Sequence, residues 1–385
     1  MNTTSLPSKG DPELRKPDIS VFSSVPNSDS VIRRPEEFSW GNVEFWIENK
    51  LKTQDPFIQI EELQKHAMRV SCHVGWTIRD YKICGQLIAY ARAIHCHQFR
   101  IFSFSVAMFQ DTARLLRWDR SGVIYTEPFK WADGSLFEFL WRFNHLSVMD
   151  RGYDTTVCSA EDDEAEAALP SLRDHFKART LEKEHLHRIL AWDDHGLDNK
   201  PRCYITPSAK WVTDALIGRA TFGYIAYDVE SRILVYLKDF WRVDHPEIQT
   251  EGDVYHELHD AEVPNIAKLG CAGDVRLTID DSQAGASVGV QRTRTQEYLD
   301  QSWCPGRPDV EPYIHYRLVL ETVGRPLNRF ESTRQLCEVI RDAVVGKRNT
   351  PSFDSQTDYA NSPYRRVQQG SNIASGHQRR KYSHH

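Results

Sequence analysis

Apolar and polar positions alternate in short runs through the first third of the chain, broken by two stretches of helical spacing. Pro17-Asp18-Ile19-Ser20-Val21-Phe22 reads as a strand begun by proline, where a missing N–H costs little. Val43 to Lys50 alternates as a strand, predicting Val43, Phe45 and Ile47 on one face and Glu44, Trp46, Glu48 and Lys50 on the other. Ile83, Leu87, Tyr90, Ala91 and Ile94 recur at helical spacing, which predicts an amphipathic helix over Tyr81 to His97 carrying Gln86. Ile101 to Phe109 alternates as a half-buried strand, and Leu136 to Leu146 has the aromatic density of a packed helix. Between them, Arg114 to Trp118 and Val123 to Tyr125 flank the hairpin turn Asp119-Arg120-Ser121-Gly122.

The pattern then changes. Glu161-Asp162-Asp163-Glu164-Ala165-Glu166 is a like-charged run before Pro170, expected as a solvated linker, and Leu181 to Ile189 reads as a short helix. Two β-rich runs, ending at Val229 and beginning at Ile233, flank a Glu230-Ser231-Arg232 turn, with the small-residue loop Gly218-Arg219-Ala220-Thr221-Phe222-Gly223 in front. Val254, Tyr255 and Leu258 lie behind Glu251 at the spacing of one short helix. Residues 267 to 300 read as a long loop with at most a strand at Val275 to Ile279. Tyr313 to Leu320 is a strand, Thr322-Val323-Gly324-Arg325-Pro326-Leu327 breaks it as a hinge, and Ser332-Thr333-Arg334-Gln335 caps a helix reaching about Val345. The tail has no periodic apolar face and is expected to be disordered. The domains that follow are residues 1–158, an acidic linker over 159–180, a second domain over 181–346 and a tail over 347–385.

With 385 residues, 40% hydrophobic and 11% aromatic, the chain has material for two sizeable cores. A net charge of -6 argues against an extended nucleic-acid-binding face. Eight scattered cysteines, no apolar leader near Met1 and no apolar run long enough for a membrane span predict an intracellular protein of cytoplasm or nucleus, with thiols rather than disulfides. Cys72, Cys84 and Cys96, beside His73, His95 and His97, lack the paired spacing of structural zinc sites and are expected as buried thiols and ordinary histidines.

Two constellations carry candidate chemistry. A glycine loop, a hairpin and a strand-borne lysine are how a protein kinase covers ATP phosphates and reaches them with a cation; here they are Gly218, Ala220, Phe222, Gly223 and Lys238. Ala220 stands where the middle glycine would be, and the loop should approach phosphates less closely because alanine avoids positive φ. Glu251 is the candidate helix glutamate to hold Lys238, with Glu257 second; the plainer alternative is an exposed strand lysine and a glutamate that favours a helix N-terminus. The other constellation, Pro17-Asp18, Glu48-x-Lys50 and Gln86-x-x-x-Tyr90, resembles the core of the PD-(D/E)XK nuclease superfamily. That resemblance implies Asp18 and Glu48 as ligands of a divalent cation, with Lys50 and Gln86 beside the attacking water. Its alternative is an exposed Glu48–Lys50 ion pair on an edge strand.

Longer blocks are more specific. Arg114-Leu115-Leu116-Arg117-Trp118-Asp119-Arg120-Ser121-Gly122, Leu140-Trp141-Arg142-Phe143-Asn144-His145-Leu146-Ser147 and Arg151-Gly152-Tyr153-Asp154-Thr155-Thr156-Val157 resemble the fungal-type protein kinase family. So do Leu237-Lys238-Asp239-Phe240-Trp241-Arg242 and Val323-Gly324-Arg325-Pro326-Leu327-Asn328-Arg329-Phe330. The resemblance implies a basidiomycete source and an α+β architecture. An N-terminal α/β, restriction-endonuclease-like domain would precede a partial kinase-like N-lobe of antiparallel sheet plus helix. It also implies ATP with Mg²⁺ as cofactors, and supports Lys238 and Glu251 in their roles.

The departure from that family lies after the hinge. No His-Arg-Asp occurs, and the one Phe-Gly, Phe222-Gly223, belongs to the loop; Asp354 and Asp358 lack the flanking sequence of a metal-binding aspartate. The expectation is a kinase-like protein truncated before its catalytic loop, a pseudokinase with weak ATP contact and no phosphoryl transfer. Half a kinase leaves apolar surface uncovered, which a protein partner would cover; a nucleic-acid partner enters only with the nuclease reading.

Overall fold

The computed structural model describes residues 16–22, 38–57, 78–196, 200–209, 211–213, 215–277, 289–298 and 310–349. The readings at Cys72, His73, Thr278, Ile279 and the tail from 350, with Asp354 and Asp358, lie outside these residues. The chain divides into two compact units, residues 1–254 with 267–325, and residues 255–266 with 326–385.

In the first unit, strands β1 (Ile19–Phe22), β2 (Val43–Lys50), β3 (Ser103–Phe109), β4 (Thr112–Asp119) and β5 (Gly122–Tyr125) lie side by side in that order, and a short β6 (Phe129–Lys130) pairs with β4. All pairs are antiparallel except β2 with β3, which run parallel, Glu48 opposite Ala107. A parallel pair needs a crossover; helix α1 (Ile78–His97) lies within that connection. It covers one face of the sheet with Leu87, Tyr90, Ala91 and Ile94 against Trp46, Ala107 and Trp118. Helix α2 (Ser135–His145) covers the other, Leu136 and Phe143 meeting Phe45, Ile47 and Val106.

The alternation expected in β2 holds only from Phe45 onward. Val21 pairs with Phe45 but Phe22 pairs with Val43, so the ladder skips Glu44. A bulge of this kind flips the side chains beyond it. Val43 therefore joins Trp46 under α1 rather than sharing a face with Phe45 and Ile47, and the buried Glu44 carboxylate receives Arg100 Nη2 at 3.3 Å.

The second sheet of the unit is antiparallel throughout. Its members are β7 (Val157–Ser159), β8 (His187–Ala191), β9 (Arg202–Thr206), β10 (Trp211–Val212), β11 (Phe222–Asp228), β12 (Leu234–Val243), β13 (Leu269–Asp274) and β14 (Tyr313–Leu320), ordered β13-β14-β12-β11-β9-β8-β7 with β10 on β11. Three expectations fail here. The acidic stretch is no solvated linker but the start of helix α3 (Asp162–Phe176), whose Ala165, Ala168 and Leu172 pack on Ile205 and Tyr227. Its acidic residues sit in the first turn, where the helix dipole favours them, and Pro170 lies within the helix rather than ending it. Leu181 to Ile189 is not a helix; a single 3₁₀ turn at Lys183–His185 leads into β8, because the run is too short to nucleate a helix and β9 offers a partner. The 267–300 loop contains β13, whose small residues Gly270, Ala272 and Gly273 hide its β character, while Val275 falls just past the strand.

Helix α4 (Glu251–Asp260) begins in the first unit with a reciprocal cap, Asp253 N donating to Thr250 Oγ1 and Thr250 N to Asp253 Oδ2, both at 3.1 Å. In the second unit, helix α5 (Thr333–Asn349) is tied to the 255–266 segment by Asn265 Nδ2 donating to the Asp342 carbonyl at 3.1 Å. Val339, Ile340 and Val344 of α5 are exposed. No helix among the described residues is long and apolar enough to cross a membrane.

Candidate functional site

Lys238 and Glu251 are brought together by the turn from β12 to α4. The ammonium lies 2.8 Å from Glu251 Oε1 and 2.5 Å from Oε2. On the adjacent strand Gly223 stands opposite Lys238 in the ladder. The close approach of α4 to the sheet depends on Gly252, whose N–H donates to Tyr316 Oη at 3.2 Å. A β-carbon there would lie 2.4 Å from that oxygen and 2.7 Å from the Ala272 methyl.

Arg219, not singled out from the sequence because nothing local marks a loop arginine, joins the pair. Its Nη2 is 3.4 Å from Glu251 Oε2, and its guanidinium and the Lys238 ammonium lie 4.9 and 4.5 Å from the centre of the Phe240 ring. Two cations thus share one carboxylate and one aromatic ring, leaving an excess of one positive charge beside the glycine loop. Such an excess suits a polyphosphate. The plainer reading of Lys238 and Glu251 as unrelated residues is replaced by this direct pairing.

The loop itself corrects an expectation. Ala220 does adopt positive φ, at 39°, two residues after Gly218 at 95°. Neighbouring bonds over-determine it: Gly218 N donates to the Arg120 carbonyl at 2.8 Å, and Trp241 N to the Arg219 carbonyl at 2.8 Å. Ala220 is buried with Ile101, Trp241 and Tyr313, and that packing offsets a backbone cost of about 1–2 kcal/mol. Phe222 is partly buried and packs on the second sheet's core.

Behind Lys238, on the opposite face of β12, Asp239 enters a closed ring of buried polar groups. Asp239 accepts from His315 Nε2 at 2.6 Å and from Arg317 Nε at 2.8 Å. Arg317 Nη2 donates to Asp154 Oδ2 at 2.6 Å, and Gln291 Nε2 to Asp154 Oδ1 at 2.7 Å. Gln291 Oε1 then receives His315 Nδ1 at 2.7 Å. Both imidazole nitrogens face acceptors, so both carry hydrogens and His315 is an imidazolium. Two cations balance two carboxylates. Burial pushes the Asp154 and Asp239 carboxyls up, but the His315 and Arg317 charges outweigh it and hold both below the usual range.

The second constellation is also brought together. Glu48, buried on β2, takes Lys50 and Gln86 Nε2 (2.7 Å) on Oε1 and the Asp18 N–H on Oε2 at 3.3 Å. Gln86 also reaches Tyr90 Oη at 2.7 Å, which donates to the Lys16 carbonyl at 2.8 Å. Asp18 Oδ2 accepts from Asn49 N at 2.8 Å. Burial raises the Glu48 carboxyl above its ordinary value against the opposing pull of Lys50. The pair is not exposed and not on an edge strand, since β2 lies between β1 and β3.

His95 is buried on Ser103 Oγ (3.1 Å), His97 bonds the Ala93 carbonyl (2.8 Å), and no three His, Cys, Asp or Glu side chains among the described residues could hold a metal ion. Glu257, the second candidate partner, belongs to the other compact unit from Lys238.

Comparison with known proteins gives one match. The family model described as fungal protein kinase covers residues 77–350, more than two thirds of the chain and both sides of the Lys238–Glu251 pair; Asp18, Glu48 and Lys50 lie before it. No curated protein and no solved structure matches the chain. A match of that extent, taking in the glycine loop, the paired lysine and the 151–157 block that feeds the buried ring, places this chain in the fungal protein kinase family.

Proposed function

We propose that this chain is a pseudokinase that binds the phosphates of ATP weakly and transfers none of them. The observation that carries the reading is the Lys238–Glu251 pair, supplemented by Arg219 and set opposite Gly223. Lys238 and Arg219 would meet the phosphates, Glu251 holds both cations in place, and the Gly218–Gly223 loop supplies backbone N–H groups. ATP supplies the transferable phosphate in an active kinase. Here the sequence contains no His-Arg-Asp and no Asp-Phe-Gly, so these residues provide neither the base nor the metal-binding aspartate.

Titration of the full chain with ATP, followed by thermal shift and calorimetry, tests the binding. A saturable stabilisation lost in Lys238→Ala is expected; its absence at millimolar nucleotide would end the proposal. Release of labelled γ-phosphate by the purified chain, above that of Lys238→Ala, would overturn the second half.

The convergence of Asp18, Lys50 and Gln86 on Glu48 supports a second reading, a metal-dependent nuclease. A cation there would have to displace Lys50 and Gln86 from Glu48. Mn²⁺-dependent plasmid cleavage abolished by Lys50→Ala would establish it, and no cleavage with any divalent cation would remove it. Under the pseudokinase reading, the exposed apolar side chains of α5 support a protein partner of matching apolar surface.

A further inference from the structure

A cavity of about 220 Å³ lies between the C-terminal turn of α1 and the second sheet, lined in part by His95, Cys96, Arg120, Tyr224, Trp241 and His315. Arg120 is only 2% exposed, and no carboxylate is bonded to it among the described residues. Its Nη1 donates to the carbonyls of Ala215 and Leu216 at 3.1 and 3.0 Å, while its buried Nε has no partner. His95, 1% exposed, spends Nε2 on Ser103, and its buried Nδ1 likewise has none.

The charges around the cavity pair off with one remainder. Arg100 takes Glu44, Arg117 takes Asp119, and Arg317 with His315 takes Asp154 and Asp239. Arg120 has no ion pair of its own; Asp239 and Asp119 act on its charge only from a distance. A buried cation without its own counter-charge is costly, and the cost falls when an anion joins it. Burial brings Arg120 down to about 10 against the opposing pull of Cys96, Asp239 and Asp119, while burial followed by Arg120, Arg100 and Arg117 holds His95 well below its ordinary value. Asp154 and Asp239 also line the cavity, but their oxygens are committed to the ring.

We infer that this cavity is a binding site for a small oxyanion, of the phosphate or carboxylate class, held by Arg120. Its volume equals about seven waters at about 30 Å³ each, room for such an ion and its remaining hydration. It is smaller than the roughly 300 Å³ lower bound of drug-sized pockets, which suits a small ion better than a whole nucleotide. The Arg120 carbonyl accepts the Gly218 N–H, so the occupant sits directly behind the glycine loop without being part of the Lys238 site.

The test titrates the full chain with sodium phosphate, sodium acetate and sodium chloride at constant ionic strength, following Tm. A saturable rise with phosphate or acetate and none with chloride is expected, and the ion that acts names the class. Ala209→Leu, which adds a side chain to the cavity lining, and Arg120→Gln should each raise the half-saturating concentration at least about tenfold. Lys238→Ala should titrate as the native chain does, which separates this site from the ATP reading. No saturable rise, an equal effect of chloride, a native response in Ala209→Leu, or loss of the response in Lys238→Ala would each overturn the assignment.

Discussion

Gly223 faces Lys238 across the β11–β12 ladder, so the strand beside the lysine contributes no side chain next to it. Residues directly opposite in an antiparallel pair share a face. Gly223→Val would set a branched side chain against the stem of Lys238, where phosphates approach. ATP affinity should fall about tenfold, and because Gly223 is buried, stability should fall by about 1–3 kcal/mol as well. Calorimetry beside urea unfolding of the same protein checks both.

Gly252 acts at longer range. A methyl group there collides with Tyr316 Oη and Ala272, so the first turn of α4 must back away from the sheet and take Glu251 with it. Gly252→Ala should cost about 1–3 kcal/mol in stability and weaken ATP more than Gly223→Val does. Tyr316→Phe removes the oxygen but leaves the Ala272 collision, so the double variant should recover only part of the loss.

Arg317 is the most connected member of the buried ring, donating to Asp239, Asp154, Thr156 and the Leu190 carbonyl. Arg317→Met leaves two carboxylates facing each other without their main counter-charge. A loss of about 3–5 kcal/mol is expected in chemical denaturation. The direction of the Asp154 and Asp239 shifts adds an acid limit: stability from these groups is present above about pH 3.9 and is lost as pH falls below it.

His95 sets a second pH dependence nearer neutrality. Its folded-state value is depressed, by burial first and then by Arg120, Arg100 and Arg117, so the unfolded chain binds the proton more readily. Stability should be fully present above about pH 6.5 and fall below it, by up to about 1.4 kcal/mol per pH unit. His95→Gln should flatten that slope in the Tm profile between pH 6.5 and 5.

The paired lysine and glutamate were readable before the structure because each sits in a local pattern: a strand with a glycine loop before it, and a helix start 13 residues later. Arg219 was not, since nothing local marks a loop arginine until a distant carboxylate and the Phe240 ring are placed beside it. The 151–157 block was legible as a family marker but not as to purpose. Asp154 and Thr156 serve Arg317, more than 150 residues away in sequence. Helix α3 was misread because its acidic first turn looks like a solvated run, while the alanines that bury its other face carry little hydrophobic signal. β2 misled differently: the bulge at Glu44 reverses its alternation, and no residue type announces a bulge.

The ring around Arg317 has a practical corollary for dissecting the polypeptide. Asp154 precedes β7 and the whole of the second sheet, yet it supplies half of the negative charge that Arg317 and His315 need. A recombinant piece starting at the acidic run or later would carry those two cations inward against a single aspartate. Such a piece should be recovered insoluble, whereas the chain intact through Asp154 should not.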